Sequence, residues 1–123
     1  MTKRILVVED TEDNRQIIRD LLTSAGYEMI EALDGEQGVV MAAEQKPDLI
    51  LMDMQLPVLD GYEATRRIKS DPALAHIPVI AVTSYALSGD EAKTKEAGCD
   101  GYVAKPYSPR QLLAKIREFL PEG

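Results

Sequence analysis

The chain predicts an α/β fold: a doubly wound, five-stranded parallel sheet in the order 2-1-3-4-5, covered by five helices. Three observations carry this. Short apolar runs alternate with helix-patterned runs from end to end, giving five repeats of strand then helix. The runs Ile5-Leu6-Val7-Val8, Leu49-Ile50-Leu51-Met52 and Val79-Ile80-Ala81-Val82 are apolar throughout, as strands buried on both faces are. A length of 123 residues is close to the common size of one domain, so a single unit over 1–123 is expected. Right-handed crossovers leave few other topologies.

The elements follow in order. Ile5 to Val8 is the first strand. A helical pattern comes next, with Ile17, Ile18, Leu21, Leu22 and Ala25 assigned to one apolar face and Gly26 just past its end. Tyr27 to Ala32 alternates and reads as a less buried second strand. Asp34-Gly35 reads as a turn. Val39, Val40, Ala42 and Ala43 lie in a second helix closed by Lys46-Pro47. Leu49 to Met52 is the third strand, with Asp53 directly after it. Pro57 and Gly61 mark a loop, and a third helix runs from about Tyr62 to Lys69. Val79 to Val82 is the fourth strand, ending at Thr83. Ser88-x-x-Glu91 is a capping box opening a fourth helix, which stops near Gly98. Gly101 to Ala104 is the fifth strand. Ser108-Pro109 then supplies an N-cap and a proline at the first helical position. Leu112, Leu113, Ile116, Phe119 and Leu120 make the apolar face of the last helix.

Composition narrows the function classes. The net charge is −7, which a nucleic-acid or anionic membrane surface would repel. The short basic cluster Arg66, Arg67 and Lys69 reads as a solvated helix face. Cys99 is the single cysteine, so no internal disulfide forms. The run from Met1 to Val8 is too brief for a signal peptide, and no apolar stretch approaches the ~20 residues of a membrane span. A soluble cytoplasmic protein is expected. The one histidine, His76, lies in the proline-flanked stretch Asp71 to Pro78 and reads as a surface residue. Clustered-histidine metal sites are thereby excluded, and a Ser-His-Asp device is disfavoured.

In this strand order, ligands bind outside the carboxyl ends of the strands, at the switch between strands 1 and 3. Strand 1 ends in Glu9-Asp10 and strand 3 in Asp53. Neighbouring parallel strands lie roughly 4.8 Å apart, so these carboxylates share one pocket. Each alone would read as a cap or turn residue. Together, oxygen-rich and without histidine, they point to a hard divalent cation, and Mg²⁺ suits best. Strand 4 ends in Thr83, with Ser84 beside it, and strand 5 in Lys105. Three acids, a hydroxyl and a lysine at one sheet edge suit in-line phosphoryl transfer. Asp53 is the attacking oxygen, and Thr83 and Lys105 hold the phosphoryl oxygens.

At these residues the chain resembles the receiver domain of two-component response regulators. The matching stretches are ILVVED (Ile5–Asp10), PDLILMDMQLPVLDG (Pro47–Gly61), PVIAVTSYA (Pro78–Ala86) and GCDGYVAKP (Gly98–Pro106). The resemblance covers essentially the whole chain. The family shares the 2-1-3-4-5 order, so the flavodoxin-like, CheY-like fold it implies is not independent of the topology above. The resemblance implies that Glu9 and Asp10 hold Mg²⁺, that Asp53 is the phosphorylated aspartate and a metal ligand, and that Gln55 offers its backbone carbonyl. It implies phosphoryl contacts from Thr83 and Lys105, a switch residue in Tyr102 that turns when Thr83 moves, and a cis peptide at Lys105-Pro106. Gln55 and Tyr85 occupy the variable positions beside the phosphoryl site. The finer likeness is to single-domain receivers of the DivK type, suggested by Asp71 to Pro78 and Ser88 to Glu91. The implied partners are a sensor histidine kinase or histidine phosphotransfer protein upstream. Downstream, a protein would read the face of helix 4, strand 5 and helix 5. The chain would then be a regulatory phosphoacceptor, catalysing only its own phosphorylation and dephosphorylation. With no effector segment after Pro121, a complete protein signalling in trans is expected.

Three rivals remain. A flavodoxin-like cofactor binder would need a Ser/Thr/Gly-rich loop after strand 1, but that loop opens Glu9-Asp10-Thr11-Glu12-Asp13. An aspartyl-nucleophile phosphatase would need a second positioned acid and a cap. A degenerate receiver acting only as a binding module is opposed by the intact set of Glu9, Asp10, Asp53, Thr83 and Lys105.

Overall fold

A computed structural model of the chain describes residues 2–83 and 90–120. Five parallel strands, β1 (Arg4–Val8), β2 (Glu28–Ala32), β3 (Leu49–Asp53), β4 (Val79–Thr83) and β5 (Gly101–Ala104), form one sheet. Their order is β2-β1-β3-β4-β5, as the sequence predicts. The helices α1 (Glu12–Ser24), α2 (Gly35–Gln45), α3 (Gly61–Ser70), α4 (Asp90–Ala97) and α5 (Pro109–Phe119) alternate with them.

The apolar strands are buried because both faces of the sheet are covered. Leu6, Val8, Ile50, Met52, Val79 and Ala81 pack with Ala42 of α2 and with Ala64 and Ile68 of α3. Ile5, Val7, Leu49, Leu51, Ile80 and Val103 pack with Ile18 and Leu22 of α1 and with Leu112 and Ile116 of α5. Alternate residues of each strand supply the two cores, as the period of two requires. β2 is an edge strand and only part-buried, as its alternating sequence suggests.

Helix ends follow their caps. Ser108 accepts from the Gln111 N–H, and Gln111 accepts in return from the Ser108 N–H, with Pro109 at the first helical position. This reciprocal pair satisfies two N–H groups that the helix start leaves open. Gly26 follows α1 at φ 90°, the left-handed region where glycine carries no Cβ penalty. The expected capping box needs Ser88, which lies outside the described residues, as do Ser84 and Tyr85.

Four expectations need correction. Asp34-Gly35 is not a free turn: Asp34 caps α2, accepting from the Gln37 N–H, and Gly35 is its first residue. An Asx side chain favours turns and N-caps through the same hydrogen bond, so the dipeptide alone does not separate them. Gly61 likewise opens α3, capped by Asp60, rather than belonging to the loop. Ile17 is 58% exposed and off the buried face of α1. That face is formed by Ile18 and Leu22 together with Arg15, at helical spacing. Lys69 is not on a solvated face. Its ammonium donates to the carbonyls of Ala75 and Ile77 and to Asp100, at 3.1, 2.7 and 2.8 Å. Asp100 also accepts from the Val79 N–H at 2.8 Å, so this lysine ties the turn after α3 to the starts of β4 and β5. Arg66 and Arg67 are exposed as expected, and His76 is exposed in the turn after α3. Cys99 packs part-buried, its thiol directed at the Thr65 hydroxyl. Burial pushes that thiol up to about 11 against the opposing Thr65 hydrogen bond, so it stays protonated at neutral pH.

Candidate functional site

The site begins with sheet register. β1 pairs with β3 so that Val8 lies opposite Met52. The next residue on each strand is an acid, so Glu9 and Asp53 reach the same edge. Glu9 continues the ladder toward β2, its N–H donating to the Ala32 carbonyl at 3.1 Å. Glu9 and Asp53 are both buried, at 3% and 4% exposure, while Asp10 is open to solvent. One carboxylate oxygen from each of Glu9, Asp10 and Asp53 lies within 4.8 Å of the others.

Lys105 faces this cluster. Its N–H donates to the Thr83 carbonyl at 2.7 Å, extending the pairing of β5 with β4 by one residue. Its ammonium donates to Asp53 Oδ2 at 3.1 Å and lies 3.6 Å from Glu9 Oε1. The peptide that follows, Lys105-Pro106, is cis. Burial pulls the Lys105 pKa down, but the carboxylates of Asp53 and Glu9 outweigh it, so the pKa stands above the ordinary lysine value. The Lys105 ammonium is therefore held as a cation against the acid cluster. Asp53 Oδ1 accepts from the Gln55 N–H at 3.0 Å, which fixes the carboxylate's rotation. Glu9 Oε2 accepts from the Thr11 N–H at 3.0 Å.

Thr83 is the buried last residue of β4. Register places it opposite Ala104, and Ala81 opposite Tyr102. Thr83 and Tyr102 therefore point to the same face of the sheet from neighbouring strands. Tyr102 packs part-buried against the core shared with α2 and α3. Glycine is required where α3 begins. A Cβ on Gly61 would lie 2.2 Å from the Asp53 carbonyl oxygen, so only glycine lets α3 start against the acceptor strand.

Residues 5–117 match the family model described as the response regulator receiver domain. The chain belongs to the response regulator receiver family. It is 45% identical to the polar-differentiation response regulator DivK of Brucella ovis, over the full length of both chains. Among solved structures it is similar to the receiver domain of sensor histidine kinase PA1611 from Pseudomonas aeruginosa, which holds a magnesium ion in its active-site cleft. That match is 39% identical with a TM-score of 0.91, covering 99% of this chain and 100% of the other. The Vibrio cholerae chemotaxis protein CheY4 matches at 26% identity and a TM-score of 0.91, covering 97% of this chain and 99% of the other. The chain is thus a DivK-like receiver of two-component signalling, with the fold, family and regulatory class that the sequence indicates.

In this receiver the fold brings together Glu9, Asp10, Asp53 and Lys105. Thr83 stands at the end of the adjoining strand. The donor set fits a small, hard divalent cation: carboxylate oxygens alone, no histidine, and one ammonium against three acids. The residues that would hold it are Glu9, Asp10 and Asp53, and Gln55 adjoins them on the loop after β3 through its N–H on Asp53 Oδ1. Two contributors escaped the sequence reading. Gly61 carries no side-chain signal, and its role is visible only where α3 approaches β3. Arg15, 8% exposed, donates to the Glu9 carbonyl at 2.8 Å. Its one legible signal is a charged residue at helical spacing from Ile18 and Leu22.

Proposed function

We propose that this receiver accepts a phosphoryl group on Asp53 from a phosphohistidine donor in a Mg²⁺-dependent transfer, and stores it briefly as a signal. The observation that carries the reading is the Lys105 ammonium on Asp53 Oδ2 within the cluster of Glu9, Asp10 and Asp53. A carboxylate oxygen of Asp53 attacks phosphorus in line. The new O–P bond forms as the P–N bond of the donor breaks, and the electron pair leaves on the imidazole nitrogen. No general base is required, because the attacking oxygen carries no proton to remove. Lys105 and Thr83 bind phosphoryl oxygens as charge moves onto them. When bound, Mg²⁺ supplies charge neutralisation between the carboxylates and the incoming phosphoryl oxygens.

On this reading the chain is a phosphoacceptor rather than a catalyst acting on a separate substrate, and residues 1–123 work as one receiver unit. The donor is a sensor histidine kinase or histidine phosphotransfer protein. Among the described residues no helix is long and apolar enough to cross a membrane. With the net charge of −7, this supports cytoplasmic action through proteins rather than nucleic acid. Intact mass spectrometry after incubation with acetyl phosphate and Mg²⁺ tests the reading. One phosphoryl adduct is expected with Mg²⁺ and none with a chelator. An adduct formed equally in both, or in neither, overturns it.

A phosphoryl group adds about two negative charges and strong acceptor oxygens. Drawing the Thr83 hydroxyl toward it vacates space on the face that Tyr102 shares. Tyr102 then turns inward and the surface of α4, β5 and α5 changes, a population shift biased by a local charge. Tyr102 ring resonances are expected to move on adding beryllofluoride with Mg²⁺, and to stop doing so in Thr83→Ala. Unchanged Tyr102 resonances in the parent complex would show that the tyrosine is not coupled.

A further inference from the structure

Arg15 sits behind the acid pair rather than in the pocket. It is buried on the inner face of α1, and its guanidinium reaches three groups. Nη1 donates to the Glu9 carbonyl at 2.8 Å, Nε to Glu31 Oε1 at 3.2 Å, and Nη2 to the Glu12 carboxylate. The Glu9 carbonyl belongs to the peptide that joins Glu9 to Asp10. That peptide is planar, so holding its oxygen fixes the rotation of a unit that carries both acid-bearing Cα atoms. The Glu9 N–H is already held by the Ala32 carbonyl of β2. Arg15 therefore completes the restraint on the segment from which both carboxylates project.

Glu31 provides the fixed point. It lies on β2 opposite Val7, and Arg19 grips it with Nε on Oε2 at 3.0 Å and Nη2 on Oε1 at 2.5 Å. The hydrogen bond from Arg19 holds the Glu31 carboxyl below the usual carboxylate range, so Glu31 remains an anion beside Arg15. Arg15 is thus charge-paired with carboxylates that do not belong to the cluster of Glu9, Asp10 and Asp53. We propose that Arg15 is a positioning residue for the divalent-cation site, holding the Glu9–Asp10 peptide so that both carboxylates face Asp53. The proposal rests on the metal reading above and deepens it.

Arg19 supplies the control. It shares Glu31 and Glu12 with Arg15, and among the described residues its remaining side-chain partner is Gln16 rather than Glu9. A role confined to stabilising this ion-pair network would be expected of both arginines. A role in orienting the acid pair belongs to Arg15. Loss of a group that orients metal ligands from behind costs roughly 10- to 100-fold in metal affinity.

The experiment is calorimetric titration of Mg²⁺ into the full chain, with thermal unfolding of each protein run alongside. Arg15→Met is expected to bind Mg²⁺ about tenfold more weakly than the parent. Arg19→Met is expected to bind it as the parent does even where its unfolding midpoint falls. Arg15→Lys keeps one donor for the Glu9 carbonyl and is expected to recover part of the loss. Should Arg15→Met fail to fold, Arg15→Lys against Arg19→Met decides. Parent-like affinity in the Arg15 variants, or an equal loss in Arg19→Met, overturns the positioning role. A parent that binds no Mg²⁺ overturns the metal reading itself, and the two failures are read from different samples.

Discussion

Asp53→Asn is expected to reduce the Mg²⁺-dependent phosphoryl adduct to background. Removing the nucleophile from a group of residues that act together costs on the order of a million-fold. The substitution changes little else. Asparagine has the same shape, and its single carbonyl oxygen can still accept from Lys105 or from the Gln55 N–H, both of which donate to Asp53. It has lost the second anionic oxygen that would attack phosphorus. It also removes one of three carboxylates whose oxygens lie within 4.8 Å of one another, so the unfolding midpoint without Mg²⁺ is not expected to fall. The stabilisation that Mg²⁺ confers is expected to shrink, because a ligand stabilises the folded chain by an amount that grows with the logarithm of its affinity. Thr83→Ala and Lys105→Met keep the nucleophile and lose one donor each, so each is expected to slow transfer by roughly 10²- to 10³-fold. Intact mass after timed incubation with acetyl phosphate measures all three. An undiminished adduct in Asp53→Asn would place the acceptor elsewhere.

Gly61→Ala is expected to cost about 3 kcal/mol of stability and to slow phosphorylation as well. The new methyl would lie 2.2 Å from the Asp53 carbonyl oxygen, 2.7 Å from Met54 Cα and 2.8 Å from Met54 Cε. The methionine methyl is the end of a flexible side chain, but the other two atoms are backbone and cannot turn aside. Either the start of α3 or the end of β3 must shift. The Gly61 N–H donates to the Met54 carbonyl at 3.2 Å, and that bond is strained by either movement. Alanine's better helix propensity returns at most about 1 kcal/mol, too little to reverse the sign. The affected strand end carries Asp53, so the acceptor moves with it. Urea unfolding gives the stability, and the phosphorylation time course gives the functional loss. A midpoint equal to the parent's would show that the junction relaxes freely.

The strands were the most legible part. Ile5 to Val8, Leu49 to Met52 and Val79 to Val82 are apolar on every residue, and only a sheet covered on both faces buries such runs. The acids, the threonine and the lysine were legible because they follow those runs directly. Helix starts were less so. Asp34-Gly35 and Asp60-Gly61 both look like turns, because a side chain that caps a helix makes the same hydrogen bond as one that closes a turn. Hydropathy places Ile17 on the inner face of α1 because it favours isoleucine over arginine in a buried row, whereas Ile17 is exposed. Arg15 takes the inner place because the Glu9 carbonyl and the Glu31 carboxylate meet its charge there. Lys69 reads as a surface cation because two of its acceptors are backbone carbonyls in the turn after α3 and the third, Asp100, is distant in sequence.

Sequence alone determined the kinds of groups at the sheet edge and their order along the chain. Glu9, Asp10, Asp53, Thr83 and Lys105 each follow or end a strand, and that placement is set by local hydrophobic pattern. Tertiary structure decided which atoms meet. The pairing of Val8 with Met52 sets Asp53 beside Glu9, and the pairing of Thr83 with Ala104 carries Lys105 to Asp53 Oδ2. The carbonyl that Arg15 holds and the backbone that Gly61 touches are also tertiary facts. Every residue has a carbonyl and a backbone, so nothing in their own letters marks them. Only the register of the sheet and the approach of the helices select the ones that matter.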